Sequence, residues 1–449
     1  MNQKNRITDE AALILYSGGI PPWKVESYLS EKYNLLPPDN YCQAAIARRK
    51  FLEQKTSMKF KYLPLPEKPY LLNYHCDNCD INYQLAAYDE NKTCSLCGQS
   101  LTLLEPQKQH QLTANYIGGV DDYYSFCGAI KVTGDIEKEF IGILQYGTGL
   151  GPIGVNRGAF LINRYGGAKV VITESTRACR NLGYIFIDEI TRRKAMKTVE
   201  SFLPAIRSQM NQLLKRWGAE VSFVEILPVE NMGKPYLFID FTADFKHFRG
   251  HGAISKAVGL AKKLLDEKLK AENIHYDLSG ITQGYDGDLK PSPRNKRGRY
   301  SMAKTSIPAS EIEKIIGKSA DKFIDFINMD SKGTEKLGWF GHTGMGGEII
   351  AGIYKAAKIN PHAPLVSSTQ KIFCFRENDN IVYGIELPNV EAGTFSSSEG
   401  AVPPLGREMM QFMGISNSRE YAAYTAAFVL AGELNLSIEI VRENLYRSE

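Results

Sequence analysis

The sequence predicts an α+β fold, because strand patterns and helix patterns both recur along it. Three strand-like apolar runs occupy residues 140–144, 221–229 and 235–241. Two long segments with apolar residues at helical spacing lie between and after them, at residues 192–217 and 252–271. Gly233 separates the last two strand-like runs and predicts a turn between them. Strands and helices mixed in this order favour an α+β domain.

The chain has the composition of an ordinary globular protein and the length of about two or three domains. It contains 449 residues, of which 43% are hydrophobic and 23% are charged. A formal net charge of +4 is too small, on so long a chain, to indicate a nucleic-acid partner. The first apolar run, residues 11–16, is shorter than the about 20 residues of a membrane-spanning helix and lacks the flanks of a signal peptide. We expect a cytoplasmic protein without a membrane or nucleic-acid partner.

The first 69 residues are expected to form a helical subdomain and a connector. Apolar residues recur at helical spacing within residues 8–60, for example at Val25, Tyr28 and Leu29. Within residues 62–69 a proline recurs every few positions, which prevents a helix and favours an extended chain. This connector leads into a segment with a regular cysteine pattern.

Four of the eight cysteines form two Cys-x-x-Cys pairs, Cys76 with Cys79 and Cys94 with Cys97. The 14 residues between the pairs are typical of a zinc ribbon, in which four thiolates bind the metal and leave no position for water. A redox dithiol would need only one pair, and an iron–sulfur cluster is less common at this spacing. We expect a structural zinc site in a module over residues 70–112.

This zinc ribbon is expected to bind protein rather than nucleic acid. Residues 80–93, between its cysteine pairs, contain three acidic residues and one lysine. Such a balance of charge opposes contact with phosphate groups. We expect the module to bind another subunit or a macromolecular partner.

The second half of the chain contains further helix signals. Ser310 and Glu313 have capping-box spacing in front of apolar residues, so a helix is expected to start near residue 311. An alanine-rich helix is expected over residues 420–437. Gly250 and Gly252 leave bare backbone at the N-terminus of the helix near residue 252, and such a terminus can hold an anion.

Several motifs resemble those of one enzyme family. They are Asn156-Arg157-Gly158, Thr176-Arg177, Asp288-Leu289-Lys290-Pro291, Ser367-Ser368, residues 385–394 and Ala431-Gly432-Glu433-Leu434. In this order they resemble the hydroxymethylglutaryl-coenzyme A reductases over most of the chain, with residues 70–112 as an insertion. The resemblance implies a large substrate domain, residues 113–170 and 246–449, with a small split-βαβ subdomain of nicotinamide type inserted at residues 171–245. It also implies a homo-oligomer.

The sequence departs from that family where the resemblance implies catalysis. The catalytic glutamate, lysine, aspartate and histidine of the family fall on Thr148, Leu289, Asn360 and Glu449. Reduction of a thioester needs a cation or acid at the developing oxyanion, which threonine, leucine and asparagine do not supply. The two nicotinamide motifs are replaced as well, at residues 247–252 and 396–399. We therefore expect no reduction of hydroxymethylglutaryl-coenzyme A, and the resemblance does not carry over a nicotinamide cofactor.

Other chemical groups now occupy these positions. The candidate acid and base groups are His247, His251, Asp288 and Lys290. The candidate substrate-binding residues are Arg157, Arg177, Arg249, Arg294, His342 and Glu399. Because arginine offers a bidentate fork to carboxylate or phosphate, we expect a small anionic substrate or an acyl thioester, such as one of coenzyme A. The basic run at residues 294–299 has two alternative interpretations, a phosphate-binding segment or a solvent-exposed loop.

Three functions are compatible with this pattern. The first is a repurposed enzyme that acts on a small carboxylate or acyl thioester by non-redox chemistry. The second is a divergent reductase that keeps a nicotinamide cofactor, and the third is a catalytically silent scaffold that uses the zinc ribbon. We rank them in this order, because a scaffold does not need new histidines and carboxylates where catalytic groups once lay.

Overall fold

The computed structural model describes most of the chain after residue 124 and shorter stretches before it. The described residues are 10–15, 21, 24–25, 28–29, 32, 47–54, 71–86, 93–94, 97–103, 125–145, 150–246, 250–282, 294–338, 345–357, 359, 363–391 and 404–442. Residues 10–15 and 47–54 are helical.

Strands and helices alternate through the rest of the described chain. The strands are β1 (Leu71–Cys76), β2 (Ile81–Ala86), β3 (Thr102–Leu103), β4 (Ser125–Gly134), β5 (Lys138–Leu144), β6 (Ala168–Ile172), β7 (Thr176–Ile185), β8 (Glu220–Asn231), β9 (Lys234–Phe245), β10 (Leu278–Thr282), β11 (Arg299–Pro308), β12 (Lys371–Glu377) and β13 (Asn380–Val390). The helices are α1 (Leu150–Arg164), α2 (Glu189–Leu214), α3 (His251–Ala271), α4 (Ala309–Ile316), α5 (Ala320–Lys336), α6 (Gly346–Ala356), α7 (Ala363–Ser367), α8 (Pro404–Met413) and α9 (Ser418–Val441).

The larger sheet has six strands in the order β12-β13-β11-β6-β4-β5. Its neighbours are antiparallel except for β4 and β6, which are parallel. Helix α9 packs against this sheet and is buried along most of its length, which explains its apolar and small residues on every side. Within the described chain, α9 is the helix long and apolar enough to cross a membrane, but 78% of its most apolar window is buried in the protein.

Glycines allow α1, α6 and α9 to approach closely. A Cβ atom at Gly158 of α1 would lie 1.8 Å from the carbonyl oxygen of Ala431 in α9. A Cβ atom at Gly432 would lie 2.1 Å from Cδ1 of Ile349 in α6. Because packed interiors have no room for such overlaps, a side chain at either position would separate the helices. The three helices thus meet at a narrow junction.

The smaller sheet has four antiparallel strands in the order β10-β7-β9-β8. Helices α2 and α3 pack on one face, and the chain order β-α-β-β-α-β is that of a ferredoxin-like unit. Because β10 pairs with β7, this sheet draws on residues 176–282. It therefore continues past residue 245, where the sequence suggested a boundary.

Most predicted elements of these two sheets are present with shifted ends. The strand-like runs correspond to β5, β8 and β9, and the helical segments near residues 192, 252 and 420 correspond to α2, α3 and α9. Their periodicity reports real packing faces, because α2 and α3 bury their apolar residues against the smaller sheet.

The predicted capping box is wrong. Helix α4 begins at Ala309, so Ser310 lies inside it, and the N-cap residue Pro308 makes no side-chain cap. Gly317, with φ of 69°, ends α4 after two turns. Glu313 instead accepts a hydrogen bond from the backbone N–H of Ala320, the first residue of α5, at 3.1 Å.

Candidate functional site

Cys76, Cys79, Cys94 and Cys97 come together beside a three-stranded sheet of order β2-β1-β3. Their four Sγ atoms lie within 4.8 Å of one another. The Sγ atoms of Cys76 and Cys97 are 3.6 Å apart, and those of Cys79 and Cys94 are 3.8 Å apart. Sulfur atoms around a tetrahedral ion with metal–sulfur bonds of about 2.3 Å would lie about 3.8 Å apart. The cluster therefore fits a four-thiolate metal ion.

Two equivalent turns shape the cysteine pairs. The backbone N–H of Asp80 donates to the carbonyl oxygen of Cys76, and that of Gly98 donates to the carbonyl oxygen of Cys94, each at 2.8 Å. Both donors have left-handed backbone, with φ of 52° at Asp80 and 72° at Gly98. Glycine and, less readily, aspartate adopt this conformation, so the local sequence favours both turns.

The cysteine cluster is joined to the main core of the protein. Cys76, Cys94 and Leu101 belong to the same group of buried apolar residues as the six-stranded sheet, whereas Cys97 is exposed. Without a metal, hydrogen bonding to Cys97, followed by burial, raises the pKa of Cys79 to about 12. A metal ion must therefore displace a proton from this thiol when it binds.

Helix α1 carries two residues of the family-like motif, Asn156 and Arg157. Arg157 is exposed. Asn156 is 2% exposed, and its Nδ2 has no hydrogen-bond partner among the described residues. An unpaired buried donor is costly, so this N–H group is suited to donate to a ligand.

A buried carboxylate lies where α9 meets the start of α6. Glu433 of α9 is 1% exposed, and its Oε1 accepts hydrogen bonds from the backbone N–H groups of Met345, at 2.9 Å, and Gly346. Because these N–H groups form the positive end of α6, they offset the buried charge. Glu433 therefore caps α6 from another helix, a role that the sequence analysis missed because Gly346 is 87 residues away along the chain.

The basic run at residues 294–299, here called the basic clasp, is largely buried and is not an exposed loop. Lys296 and Arg297 are each 6% exposed. Nζ of Lys296 lies 2.6 Å from Oδ2 of Asp240 on β9, and Arg297 pairs with Glu391, the residue after β13. Arg299, 1% exposed, donates to the backbone carbonyl oxygens of Thr173, Glu174 and Lys246. Because these three cationic side chains are already paired with groups of the protein, they are not available to bind phosphate.

The basic clasp connects the two larger sheets. Lys296 contacts the four-stranded sheet through Asp240, and Arg297 contacts the end of the six-stranded sheet through Glu391. Oδ1 of Asn389 accepts the backbone N–H groups of both residues, at 3.1 and 3.2 Å. Burial raises the pKa of Asp240, and Lys296 opposes this rise. The sequence signal for Asp240 is a carboxylate within the apolar run of residues 235–241.

Two of the predicted substrate-binding residues, Arg177 and Arg294, lie at this contact between the sheets. Arg157 is not among the partners that the structure shows for either of them. Nε of Arg177 donates to Oδ1 of Asp244 at 3.0 Å, and its Nη1 donates to the carbonyl oxygen of Asn295 at 3.2 Å. Nη1 of Arg294 lies 2.9 Å from Oε2 of Glu225. Both guanidinium groups are thus engaged by groups of the protein.

The remaining predicted site residues lie outside the described residues. They are His247, Arg249, Asp288, Lys290, His342 and Glu399. His251 is the first residue of α3, but its side chain is also outside the described part of the chain. The convergence of the candidate acid and base groups therefore stays a prediction.

A cavity of about 890 Å³ lies beside the chain that leads into α3. Its charged lining residues are Glu174, Lys215, Glu220, Asp244 and Lys246. Asp244 pairs with Arg177, and Glu174 pairs with Arg419. The other charged lining residues are Lys215, Lys246 and Glu220. The N-cap residue of α3, Gly250, has no side chain, and a Cβ atom at Gly252 would meet nothing within 4 Å. A Cβ atom at Gly250 would lie 2.3 Å from the ring of Phe245, so the described space at this helix start is on the Gly252 side.

Comparison with known proteins identifies one family. Residues 153–448 match the family model described as hydroxymethylglutaryl-coenzyme A reductase. The 3-hydroxy-3-methylglutaryl-coenzyme A reductase of Methanocaldococcus jannaschii is 22% identical over 443 residues, which cover 94% of this chain and 93% of the relative. That of Pyrococcus abyssi is 25% identical over 362 residues, which cover 74% of this chain and 82% of the relative.

A solved structure supports the same relationship at the level of the fold. The class II 3-hydroxy-3-methylglutaryl-CoA reductase from Streptococcus pneumoniae, bound to NADPH in open conformations, has a TM-score of 0.56 and 13% sequence identity. The match covers 77% of this chain and 81% of that chain. The mixed arrangement of helices and sheets described above thus resembles a class II reductase. This chain belongs to the hydroxymethylglutaryl-coenzyme A reductase family.

Proposed function

We propose that this chain binds a small carboxylate or an acyl thioester beside helix α1, at Asn156 and Arg157, and acts on it by non-redox chemistry. The observation that carries the proposal is the pair Asn156 and Arg157, a buried amide donor without a partner among the described residues beside an exposed guanidinium. The amide donates to a carbonyl oxygen of the ligand, and the guanidinium binds its carboxylate or a phosphate of its carrier.

The proposed acid and base groups are His247, His251, Asp288 and Lys290. Arg177, Arg249, Arg294, His342 and Glu399 are proposed as further ligand contacts. Non-redox chemistry is favoured because Thr148, Leu289 and Asn360 stand where the family resemblance implies charged catalytic groups. Lys296 does not replace the missing cation, since it is buried in an ion pair with Asp240.

A divergent reductase is the second candidate function, and the start of α3 favours it. The family includes a relative solved with NADPH. The backbone N–H groups at the start of α3, with Lys215 and Lys246 of the neighbouring cavity, suit the pyrophosphate of such a cofactor. When bound, the cofactor would supply a hydride, and these groups would hold its phosphates.

We further propose that the four cysteines bind one zinc ion with a structural role. Four thiolates fill a tetrahedral shell and leave no position for a reacting water. The exposed edge of this module, at Cys97, is proposed to face a protein partner, in a cytoplasmic homo-oligomer. The proposed domains are residues 1–69, the zinc ribbon 70–112, the small subdomain from residue 171, and the large domain 113–170 with the residues after the small subdomain. Because β10 joins the sheet of the small subdomain, we move its end from residue 245 to residue 282, so that the large domain resumes at residue 283.

Calorimetric titration of the zinc-loaded chain tests the proposal. We expect 3-hydroxy-3-methylglutaryl-coenzyme A to bind with a micromolar Kd, NADPH to bind weakly or not at all, and no NADPH to be oxidised when both are present. The variant Arg157→Gln should weaken thioester binding about tenfold, whereas Arg164→Gln, an exposed arginine at the far end of α1, should not. Oxidation of NADPH would support the reductase, and absence of thioester binding would refute the acyl ligand.

A further inference from the structure

The positive charge of the chain is concentrated on α2 and α3, the helices that cover the four-stranded sheet. Residues 189–217 and 251–271 together contain 12 lysines and arginines and four acidic residues, a formal charge of +8. The whole chain carries only +4, so the rest of it has a formal charge of −4. Because α2 and α3 pack side by side on one face of the sheet, this charge forms one basic layer.

Helix α3 carries three of these cations in a row. Lys256, Lys263 and Lys270 are seven residues apart, so they lie on one side of the helix, and all three are exposed. At a rise of about 1.5 Å per residue, successive lysines are about 10 Å apart along the helix axis. Their side chains make no ion pair with other described residues, whereas Lys262 pairs with Asp266 one turn further on. The three ammonium groups are therefore available to a partner.

Helix α2 widens this surface at the C-terminal end of α3. The hydroxyl of Thr198 donates a hydrogen bond to Glu272, the residue after α3, which brings the neighbouring part of α2 to this end. The side chain before it, Lys197, is exposed and has no ion pair within the described chain. The lysine face is defined here as Lys197, Lys256, Lys263 and Lys270.

The composition of α3 favours an acidic protein as the partner over a nucleic acid or a membrane. The helix has no Phe, Tyr or Trp on which a base could stack. None of its described side chains is a large exposed apolar group that could enter a bilayer. The exposed Glu267 lies between Lys263 and Lys270 and would repel a continuous chain of phosphates.

The spacing of the lysines fits a helix in particular. Two turns of an α-helix advance about 10 Å, so carboxylates seven residues apart on a partner helix would meet Lys256, Lys263 and Lys270 in register. Each exposed ion pair contributes little by itself, so the affinity depends on the whole row and decreases as salt screens it.

We propose that the lysine face docks an acidic helix of a carrier protein, which presents the acyl group of the ligand as a pantetheine thioester. This inference rests on the proposed function, since that function makes an acyl thioester the ligand. A carrier-bound thioester has the same reacting group and the same pantetheine arm as a coenzyme A thioester. It differs in bringing an acidic protein surface, which is what the lysine face complements.

The test presents one acyl group on two carriers. An acidic acyl carrier protein loaded with a 3-hydroxy-3-methylglutaryl group, and 3-hydroxy-3-methylglutaryl-coenzyme A, are titrated separately into the full, zinc-loaded chain by calorimetry. At low ionic strength the carrier protein is expected to bind at least about tenfold more tightly, and high salt should remove this advantage. Equal or weaker binding of the carrier protein would overturn this inference and leave the proposed function intact. Failure of both thioesters to bind would overturn both.

Charge reversal locates the contact. Lys256→Glu, Lys263→Glu and Lys270→Glu together are expected to weaken carrier binding at least about tenfold and to change the affinity for the coenzyme A thioester less than about twofold. The same three positions changed to Gln replace this variant if it does not fold. The matched control changes the net charge equally on α5, where three exposed lysines are replaced by Glu: Lys322, Lys332 and Lys336.

The control also decides between a docking surface and a general attraction. It is expected to keep carrier binding within about twofold, because the docking contact is made by α3. Equal loss in both triple variants would mean that overall charge alone attracts the carrier and would overturn the inference. Binding of a DNA duplex or of phosphatidylserine vesicles more tightly than the carrier, if lost in the α3 variant, would assign the lysine face to that polyanion and overturn it as well.

Discussion

The four-cysteine cluster and the basic clasp each contain several residues of one kind within a short stretch of sequence. The sequence nevertheless predicted the surroundings of the cysteines better than those of the clasp. The cysteines are drawn together by two local turns and one short sheet, as their spacing predicted. The clasp lies in neither predicted environment, because Lys296 and Arg297 pair with Asp240 and Glu391, which are 56 and 94 residues away. Sequence spacing therefore identifies a site when its ligands share a local fold, and it fails when the fold itself brings the partners.

Among contacts between residues close together in sequence, loss of a cysteine should have the largest effect. Cys94→Ser is expected to abolish zinc binding and to lower the Tm by more than about 5 °C, since Cys94 belongs to the main buried core. Metal analysis and thermal unfolding measure the two effects. Gln99→Ala, at an exposed residue just after the second cysteine pair, should keep both the zinc and the Tm. A chain that retains one zinc after Cys94→Ser would break the assignment of the four ligands.

Among contacts between residues far apart in sequence, removal of the Lys296 cation from the basic clasp should have the largest effect. Lys296→Met leaves the buried carboxylate of Asp240 without its cation and is expected to cost about 3–5 kcal/mol of unfolding free energy at neutral pH. The double variant Lys296→Met with Asp240→Leu should cost much less, because apolar residues replace both charges. Urea unfolding of the two variants measures the difference. If the double variant is as unstable as the single one, packing of the two side chains rather than their charges stabilises the clasp.

These two regions also show how much the sequence could predict. Periodicity located α2, α3, α9, β5, β8 and β9, since a packing face repeats with the period of its own element. The helix near residue 311 was located but its cap was not, because Pro308 and Gly317 set its ends instead of Ser310. Glu433 was recognised only as part of a family-like motif, and its contact with Gly346 depends on the approach of α9 to α6. The unpaired amide of Asn156 is likewise a product of packing, which no local pattern encodes.

A helix cap is another contact between residues close together in sequence, and its loss is expected to have a smaller effect. Asn417 is the N-cap of α9, and its side chain accepts a hydrogen bond from the backbone N–H of Glu420 at 2.9 Å. Asn417→Ala should cost about 1 kcal/mol of unfolding free energy, whereas Asn417→Asp should keep the cap and cost only a few tenths of that. Chemical unfolding of both variants checks the value. Equal losses would mean that the amide, and not the capping oxygen, matters at this position.

The smallest expected effect concerns pH and a contact that combines local and long-range partners. Burial tends to raise the pKa of Glu420, but hydrogen bonds from Lys138 on β5 and from Ser416 outweigh it, so the pKa lies below the ordinary value of 4.5. A carboxyl group with a lowered pKa stabilises the fold above its unfolded pKa, and this contribution is lost as pH falls through the folded pKa.

The variant Glu420→Gln cannot lose a charge in this way. Its deficit in unfolding free energy relative to the natural chain should therefore be largest near pH 7 and should shrink as pH falls below about 4.5. Urea unfolding of both chains between pH 7 and pH 3 measures this difference. A deficit that stays constant with pH would contradict the lowered pKa, because the hydrogen bonds from Ser416 and the ion pair to Lys138, 282 residues away, both favour the charged carboxylate. A deficit that shrinks would confirm this preference for the charged form, to which a local partner and a distant cation both contribute, so that the two kinds of contact contrasted above meet in a single side chain.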